Sequence, residues 1–231
     1  MTGESGGTPF ARWRAQAHEP ALTVLLVIEF LVIFGLIPFS GLSVYALRSA
    51  QVPLAAVVAV AAVAAIARGR AALVLTFLAA VIGITGDLLR YEWPNALSAS
   101  AFLFVALAFL LILTGVVGHV VFGPGRVTAH RIQGAIVVYL HVALMFTFLY
   151  AIVLFFAPGA FGDALVTTDA SVGGKLLYFS FTTLTTVGYG DIVPVHPFAR
   201  GLANLEAIIG QLYPATLLAR VVTLEVAARG K

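Results

Sequence analysis

The chain has 231 residues, of which 61% are hydrophobic and 10% charged, with a net charge of +3. Soluble domains average about 25% charged residues, so this composition excludes an ordinary water-soluble protein and indicates an integral membrane protein. It contains no cysteine, which excludes disulfides and thiolate metal sites, and no basic tract is long enough to bind nucleic acid.

Residues 1–20 form an N-terminal segment that the charge count below assigns to the cytoplasm, and its first ten residues lack the basic-then-apolar layout of a cleaved signal peptide. A membrane-crossing helix needs about 20 mostly apolar residues, and six stretches approach or meet that length. They run at Ala21 to Phe39, Val52 to Ala67, Ala71 to Leu89, Ser98 to Phe122, Ile132 to Phe156 and Phe198 to Ala227. Arg68, Gly69 and Arg70 leave room for only a tight hairpin between the second and third, and Gly123, Pro124 and Gly125 break the chain after the fourth. Between the fifth and sixth lie a polar turret, Pro158 to Ser171, and a segment from Val172 to Leu184 that is too short to span. That segment is expected to dip halfway into the membrane, since irregular backbone at that depth must be buried in protein or line a water-filled path.

With six spans the termini share a side. Lys and Arg then divide nine against four, with Arg12, Arg14, Arg68, Arg70, Arg126, Arg131, Arg220, Arg229 and Lys231 on the terminal side. The excess of positive charge places both termini in the cytoplasm. The turret acids Asp163 and Asp169 then face outside, where they concentrate cations or serve loop solubility.

After the short segment comes T-T-V-G-Y-G-D, Thr185 to Asp191. This string resembles the selectivity filter of potassium channels, in which four such loops surround the ion. A dehydrated cation needs oxygens in place of water, and a backbone alternating right- and left-handed residues points successive carbonyls to one side. Gly188 and Gly190 accept positive φ at little steric cost. The resemblance implies that the carbonyls of Thr186, Val187, Gly188 and Tyr189, with Gly190 and the Thr186 hydroxyl, bind K+. One loop per chain then implies a homotetramer with the pore on its axis. No cofactor is expected beyond K+ as the permeant ion, and the partners are other copies, the lipid bilayer and, for gating, a separate regulatory subunit among the alternatives.

From His130 to Ala227 the chain resembles the pore module of tetrameric potassium channels: outer helix, turret, pore helix, filter and inner helix. This divides the chain into a four-helix region, 21–127, and a pore domain, 128–231. The resulting fold class is an all-α integral membrane protein of six spans with a re-entrant pore helix. Gly210 falls where the family often carries its hinge glycine. With Pro214 one turn later it forms a candidate gate, while close helix packing is the rival explanation for the glycine. The sequence departs from the family behind the filter. Tyr178 and Phe179 stand where many members carry tryptophans, and Thr182 stands where some prokaryotic members carry a glutamate. Thr185, Asp191, Tyr178 and Thr182 are therefore expected to support the filter, with Asp191 relying on Tyr178 or water.

Two acids inside spans call for partners, because ionisable groups are costly in lipid. Glu206, two turns into the sixth span, either faces the cavity as a cation site or pairs with a neighbour. Glu29, in the first span, has His141 and His119 as candidate partners, which opens a proton-linked gate as an alternative to a purely packing role for the first four helices. The fourth span contains no Lys or Arg, whereas voltage sensing needs several charges there at about 2.3 kcal/mol each per 100 mV. The channel is expected not to be intrinsically voltage-gated. Few residues follow the sixth span, so no cytoplasmic sensing domain is expected. A non-conducting regulatory subunit and the pore subunit of a potassium uptake system remain the competing functions. No H-E-x-x-H or Ser-His-Asp pattern suggests an enzyme.

Overall fold

The computed structural model describes residues 22–36, 74, 77–78, 80–81, 84–85, 96–123, 128–165 and 171–229, with side chains described as far as residue 223. The second expected span lies outside the described residues, and only scattered helical positions of the third fall within them. Five helices carry the description: α1 (Leu22–Gly35), α2 (Ala96–Phe122), α3 (Ala129–Phe156), α4 (Val172–Leu184) and α5 (Pro197–Arg229). A π-helical stretch, Leu31–Leu36, ends α1, and a 3₁₀ turn, Gly162–Ala164, lies in the turret. No strand occurs among the described residues.

Three of these helices are long and apolar enough to cross a membrane: Ala96–Phe122, Ala129–Phe156 and the Pro197–Thr223 part of α5. They correspond to the fourth, fifth and sixth expected spans, each beginning one to three residues earlier than the hydropathy suggested. Thr128 supplies the reason at α3. Its hydroxyl accepts from the Arg131 N–H at 3.4 Å, so the helix starts at a polar cap before the apolar run begins.

Cross-helix contacts fix the directions. Gly134 of α3 faces Val121 of α2 while His141 of α3 meets Thr114 of α2, so these helices run antiparallel. Thr23 meets Gln133 and Glu29 meets His141, so α1 runs parallel to α3. Tyr213 reaches the Ala135 carbonyl and Glu206 reaches Tyr150, so α5 is antiparallel to α3. Between α1, α2 and α3 lies an apolar core of Leu22, Leu25, Leu113, Val117, Val121 and Val137. A Cβ on Gly134 would come within 2.5 Å of Val121 Cγ2 and 3.2 Å of Leu22, so glycine permits this three-helix approach.

A second core packs α3, α4 and the start of α5 around Tyr150, Phe161, Leu176, Phe179 and Leu184. The rings of Tyr150, Phe161 and Phe179 meet edge to face with centroids 4.9–5.7 Å apart. Such aromatic pairs contribute about 0.5–1.5 kcal/mol beyond area burial. They clamp the turret and the short helix against α3.

Candidate functional site

The short helix α4 covers Val172–Leu184, as its length and composition suggested. It runs antiparallel to α3: Ser180 lies against Ala143, and its last carbonyl, Leu184, accepts from the Tyr139 hydroxyl at 3.3 Å. Tyr139 lies near the middle of the 28-residue α3, so α4 descends only halfway along a spanning helix. The chain then climbs back. The N–H groups of Val195 and His196 donate to the Ala160 carbonyl at 2.8 and 3.1 Å, beyond the C-terminal end of α3. Descent and return together form a re-entrant loop.

The ascending limb of this loop is the T-T-V-G-Y-G-D segment. Positive φ occurs at Thr186 (59°), Gly188 (51°) and Gly190 (81°), alternating with Val187 and Tyr189 between them. This alternation turns successive carbonyls toward one side. Added Cβ atoms on Gly188 and Gly190 would meet nothing within 4 Å, so backbone conformation and not crowding within this chain requires glycine there. Thr186 takes the same handedness with a β-branched side chain, at a cost of about 1–3 kcal/mol that the surroundings must offset. Sequence reasoning missed this residue's conformation, although the two glycines at spacing two pointed backward to position 186.

Hydrogen bonds at the base of the loop supply that offset. The Thr185 N–H donates to the Phe181 carbonyl at 3.0 Å, Thr186 N–H to Thr183 at 2.9 Å, and Gly188 N–H to Thr182 at 3.1 Å. Thr185 Oγ1 donates to the Phe181 carbonyl at 2.6 Å, and the Thr186 hydroxyl donates to the Thr185 carbonyl at 2.7 Å. Gln211 of α5 then donates through Nε2 to Thr186 Oγ1 at 2.8 Å. Gln211 is a contact that sequence reasoning missed, and its position next to Gly210 was the available signal.

Behind the loop, Tyr178 stacks on Tyr189 with centroids 6.2 Å apart and planes within 3°. The Asp191 carboxylate lies within electrostatic reach of the Tyr178 phenol. Thr182 turns its hydroxyl back into its own helix, donating to the Phe179 carbonyl at 3.0 Å. It therefore makes no side-chain bond to Asp191. Arg200 donates from Nε to the Pro194 carbonyl at 2.9 Å and fixes the exit of the loop.

Gly210 sits directly under the end of α4. A Cβ there would stand 1.8 Å from the Leu184 carbonyl oxygen, so the glycine permits contact between the inner helix and the base of the loop. The helix continues without interruption through Pro214.

Glu206 is fully buried and does not face a cavity. Of the two alternatives open in the sequence, the geometry is that of pairing. Tyr150 donates to Oε2 at 2.5 Å, and Ser180 Oγ stands 2.5 Å from Oε1. The physical reason is α5's antiparallel packing on α3, which turns this face of the helix toward the aromatic core.

Glu29 meets His141, with Oε1 2.6 Å from Nε2, and His141 is fully buried. The Thr114 hydroxyl donates to the Leu110 carbonyl at 2.6 Å and lies 3.1 Å from His141 Nδ1. Glu29 Oε2 is buried without a hydrogen-bond partner among the described residues.

Val187 and Tyr189 in the loop, and Leu205, Ile208 and Leu212 on α5, are exposed in a single chain, Tyr189 at 72%. Each chain thus presents the loop and one apolar face of the following helix uncovered.

Residues 132–226, somewhat under half of the chain, match a family model described as "Ion channel". Among curated proteins, the chain is 38% identical over 55 residues to the inward rectifier potassium channel Kirbac3.1 of Paramagnetospirillum magnetotacticum, covering 24% of this chain and 15% of that one. It is 46% identical over 46 residues to Protein LctB of Geobacillus stearothermophilus and 44% identical over 46 residues to Protein LctB of Bacillus caldotenax. Each of those two matches covers 20% of this chain and 34% of the relative. The chain therefore spans about a third or less of the length of these relatives. The re-entrant loop of alternating handedness thus lies inside the region that matches the ion-channel family model and is similar in sequence to part of a bacterial potassium channel.

Proposed function

We infer that this protein is a potassium-selective channel in which four chains surround one pore and K+ passes down its gradient. The carrying observation is the alternation of positive φ at Thr186, Gly188 and Gly190, which aims the carbonyls of Thr186, Val187, Gly188 and Tyr189 to one side. A single chain offers only a quarter of each oxygen ring, and four copies close the path. The exposed faces of Val187, Tyr189, Leu205, Ile208 and Leu212 support this assembly, because a symmetric homotetramer would cover them.

The helix directions support six spans. Helix α1 is parallel to α3 and α2 is antiparallel to it, directions with which two further crossings between α1 and α2 agree. The second and third apolar stretches supply two. The charge asymmetry then favours cytoplasmic termini in a cell membrane. K+ is the permeant ion and no cofactor takes part. Gly210 and Pro214 are the candidate bends for a gate, and the uncharged fourth span argues against intrinsic voltage gating.

The deciding measurement is the reversal potential of purified, reconstituted protein in opposed K+ and Na+ gradients. Potassium selectivity shifts it toward the K+ equilibrium potential. A permeability ratio near unity refutes the function, and absence of any flux favours a non-conducting subunit.

A further inference from the structure

The oxygen cluster behind α4 contains more close contacts than its hydroxyl hydrogens can serve. Tyr150 Oη lies 2.5 Å from Glu206 Oε2, and Ser180 Oγ lies 2.5 Å from Glu206 Oε1 and 2.7 Å from the Ala143 carbonyl. Thr147 Oγ1 lies 2.8 Å from that same carbonyl. Two oxygens approach this closely only with a hydrogen between them. Tyr150, Ser180 and Thr147 each bring one hydrogen, and the Ala143 carbonyl brings none. Four contacts and three hydroxyl hydrogens leave one to be supplied by Glu206.

We propose that Glu206 is held as a neutral carboxylic acid that donates from Oε1 to Ser180, and that this proton positions the pore helix behind the filter. Ser180 is then free to donate to the Ala143 carbonyl, while Tyr150 donates to Oε2. One proton thereby joins the outer helix, the short pore helix and the inner helix at a fully buried point. The groups facing the carboxyl are hydroxyls: Tyr150 from α3, with Tyr139 of the same helix within electrostatic reach, and Ser180 from α4. An ionised Glu206 would claim the Ser180 hydrogen and leave Ser180 Oγ and the Ala143 carbonyl 2.7 Å apart without one. The pore helix would separate from α3 at that contact. Glu206 is a positioning residue, because it touches the helix that carries the filter and not the ion path.

The functional consequence rests on the filter reading above, but the protonation state does not, so a spectroscopic readout keeps the two separable. The infrared difference between wild type and Glu206→Gln at neutral pH is expected to contain the carbonyl stretch of a carboxylic acid, shifted in D2O. Glutamine mimics the neutral acid, donating through Nε2 to Ser180 and accepting from Tyr150, so Glu206→Gln keeps wild-type selectivity. At alkaline pH the acid band of the wild type disappears and its K+ selectivity falls, while Glu206→Gln stays flat. Where Glu206→Gln fails to assemble, Tyr150→Phe gives the second reading, because losing the donor to Oε2 shifts the frequency of the acid band. Only carboxylate stretches in the difference spectrum, or no shift of an acid band in Tyr150→Phe, overturns the proposal. Parallel alkaline loss of selectivity in wild type and Glu206→Gln overturns the positioning role.

Discussion

Replacing Gly210 with alanine separates two roles for this residue, a hinge and a close contact. The added Cβ would stand 1.8 Å from the Leu184 carbonyl oxygen and 2.7 Å from its carbonyl carbon. Carbon and oxygen in weak C–H···O contact lie about 3.3–3.6 Å apart, so one of the two backbones must move by roughly 1.5 Å. Alanine gains about 1 kcal/mol over glycine in intrinsic helix propensity. Overpacking typically costs about 1–3 kcal/mol and is least tolerated where the obstacle cannot rotate away. Here the obstacle is a backbone carbonyl that also accepts from Tyr139, so the cost exceeds the gain. Gly210→Ala is expected to lower the melting temperature of the assembled protein in detergent. It should also reduce K+ over Na+ selectivity, because Leu184 immediately precedes the loop. Bi-ionic reversal potentials and thermal unfolding monitored by size exclusion read the two effects. A variant with wild-type melting temperature and selectivity but altered open probability would refute the contact reasoning and leave the hinge.

Gln211→Leu removes the donor to Thr186 Oγ1; a net hydrogen bond of about 1 kcal/mol corresponds to a factor of about five, so unitary K+ conductance should fall several-fold. Unchanged unitary current at fixed K+ would show that this bond does not shape the inner end of the loop. For Glu29 and His141, 2.6 Å apart, the double variant Glu29→Ala with His141→Ala should lose less stability than the sum of the singles, by about 0.5–3 kcal/mol. Additive losses in chemical or thermal unfolding would show the pair to be uncoupled. Open probability should stay flat over about ±100 mV in symmetric K+, since each sensing charge contributes about 2.3 kcal/mol per 100 mV and the fourth span contains no Lys or Arg. Steep opening by purified protein without blockers would refute it.

The pore half was legible in the sequence because its signals are local. Apolar length located three of the spans, and the Val172–Leu184 segment was identified by being too short. The glycines at positions 188 and 190 announced their positive φ through spacing. Long-range geometry was not legible. Nothing in the string Leu205-Glu206-Ala207 says whether an acid faces water or a core; that depends on how α5 is rotated against α3, and Ala199, Leu202, Ala203 and Ile209 of α5 pack on the core around Tyr150 and Phe179. Gly210 looked like a hinge because it falls where the family often carries one, with close packing as the rival explanation, and the 1.8 Å approach to Leu184 gives that packing its partner. The Glu29 and His141 pairing could be anticipated, since an acid in a span needs a partner and histidines are few.

The polar contacts link the loop and α4 directly to α3 and α5, and α1 and α2 to the same α3 through His141. Helix α2 offers Thr114 to His141, and α1 offers Glu29 to the same ring. One turn or less along α3, Tyr139 and Ala143 meet the end and middle of the pore helix. From the other side, α5 reaches α4 through Glu206 and Thr186 through Gln211. In a low-dielectric interior each bond is strengthened, and each partner left alone is costly. Moving α1 or α5 relative to α3 therefore breaks defined bonds instead of sliding over an apolar surface. Physical contiguity of this kind does not by itself establish energetic coupling between α1 and the filter. The Glu29 and His141 variants provide that evidence when selectivity is read beside stability: a change in both would mean that the four-helix region acts on the filter, and a change in stability alone would confine it to a structural collar.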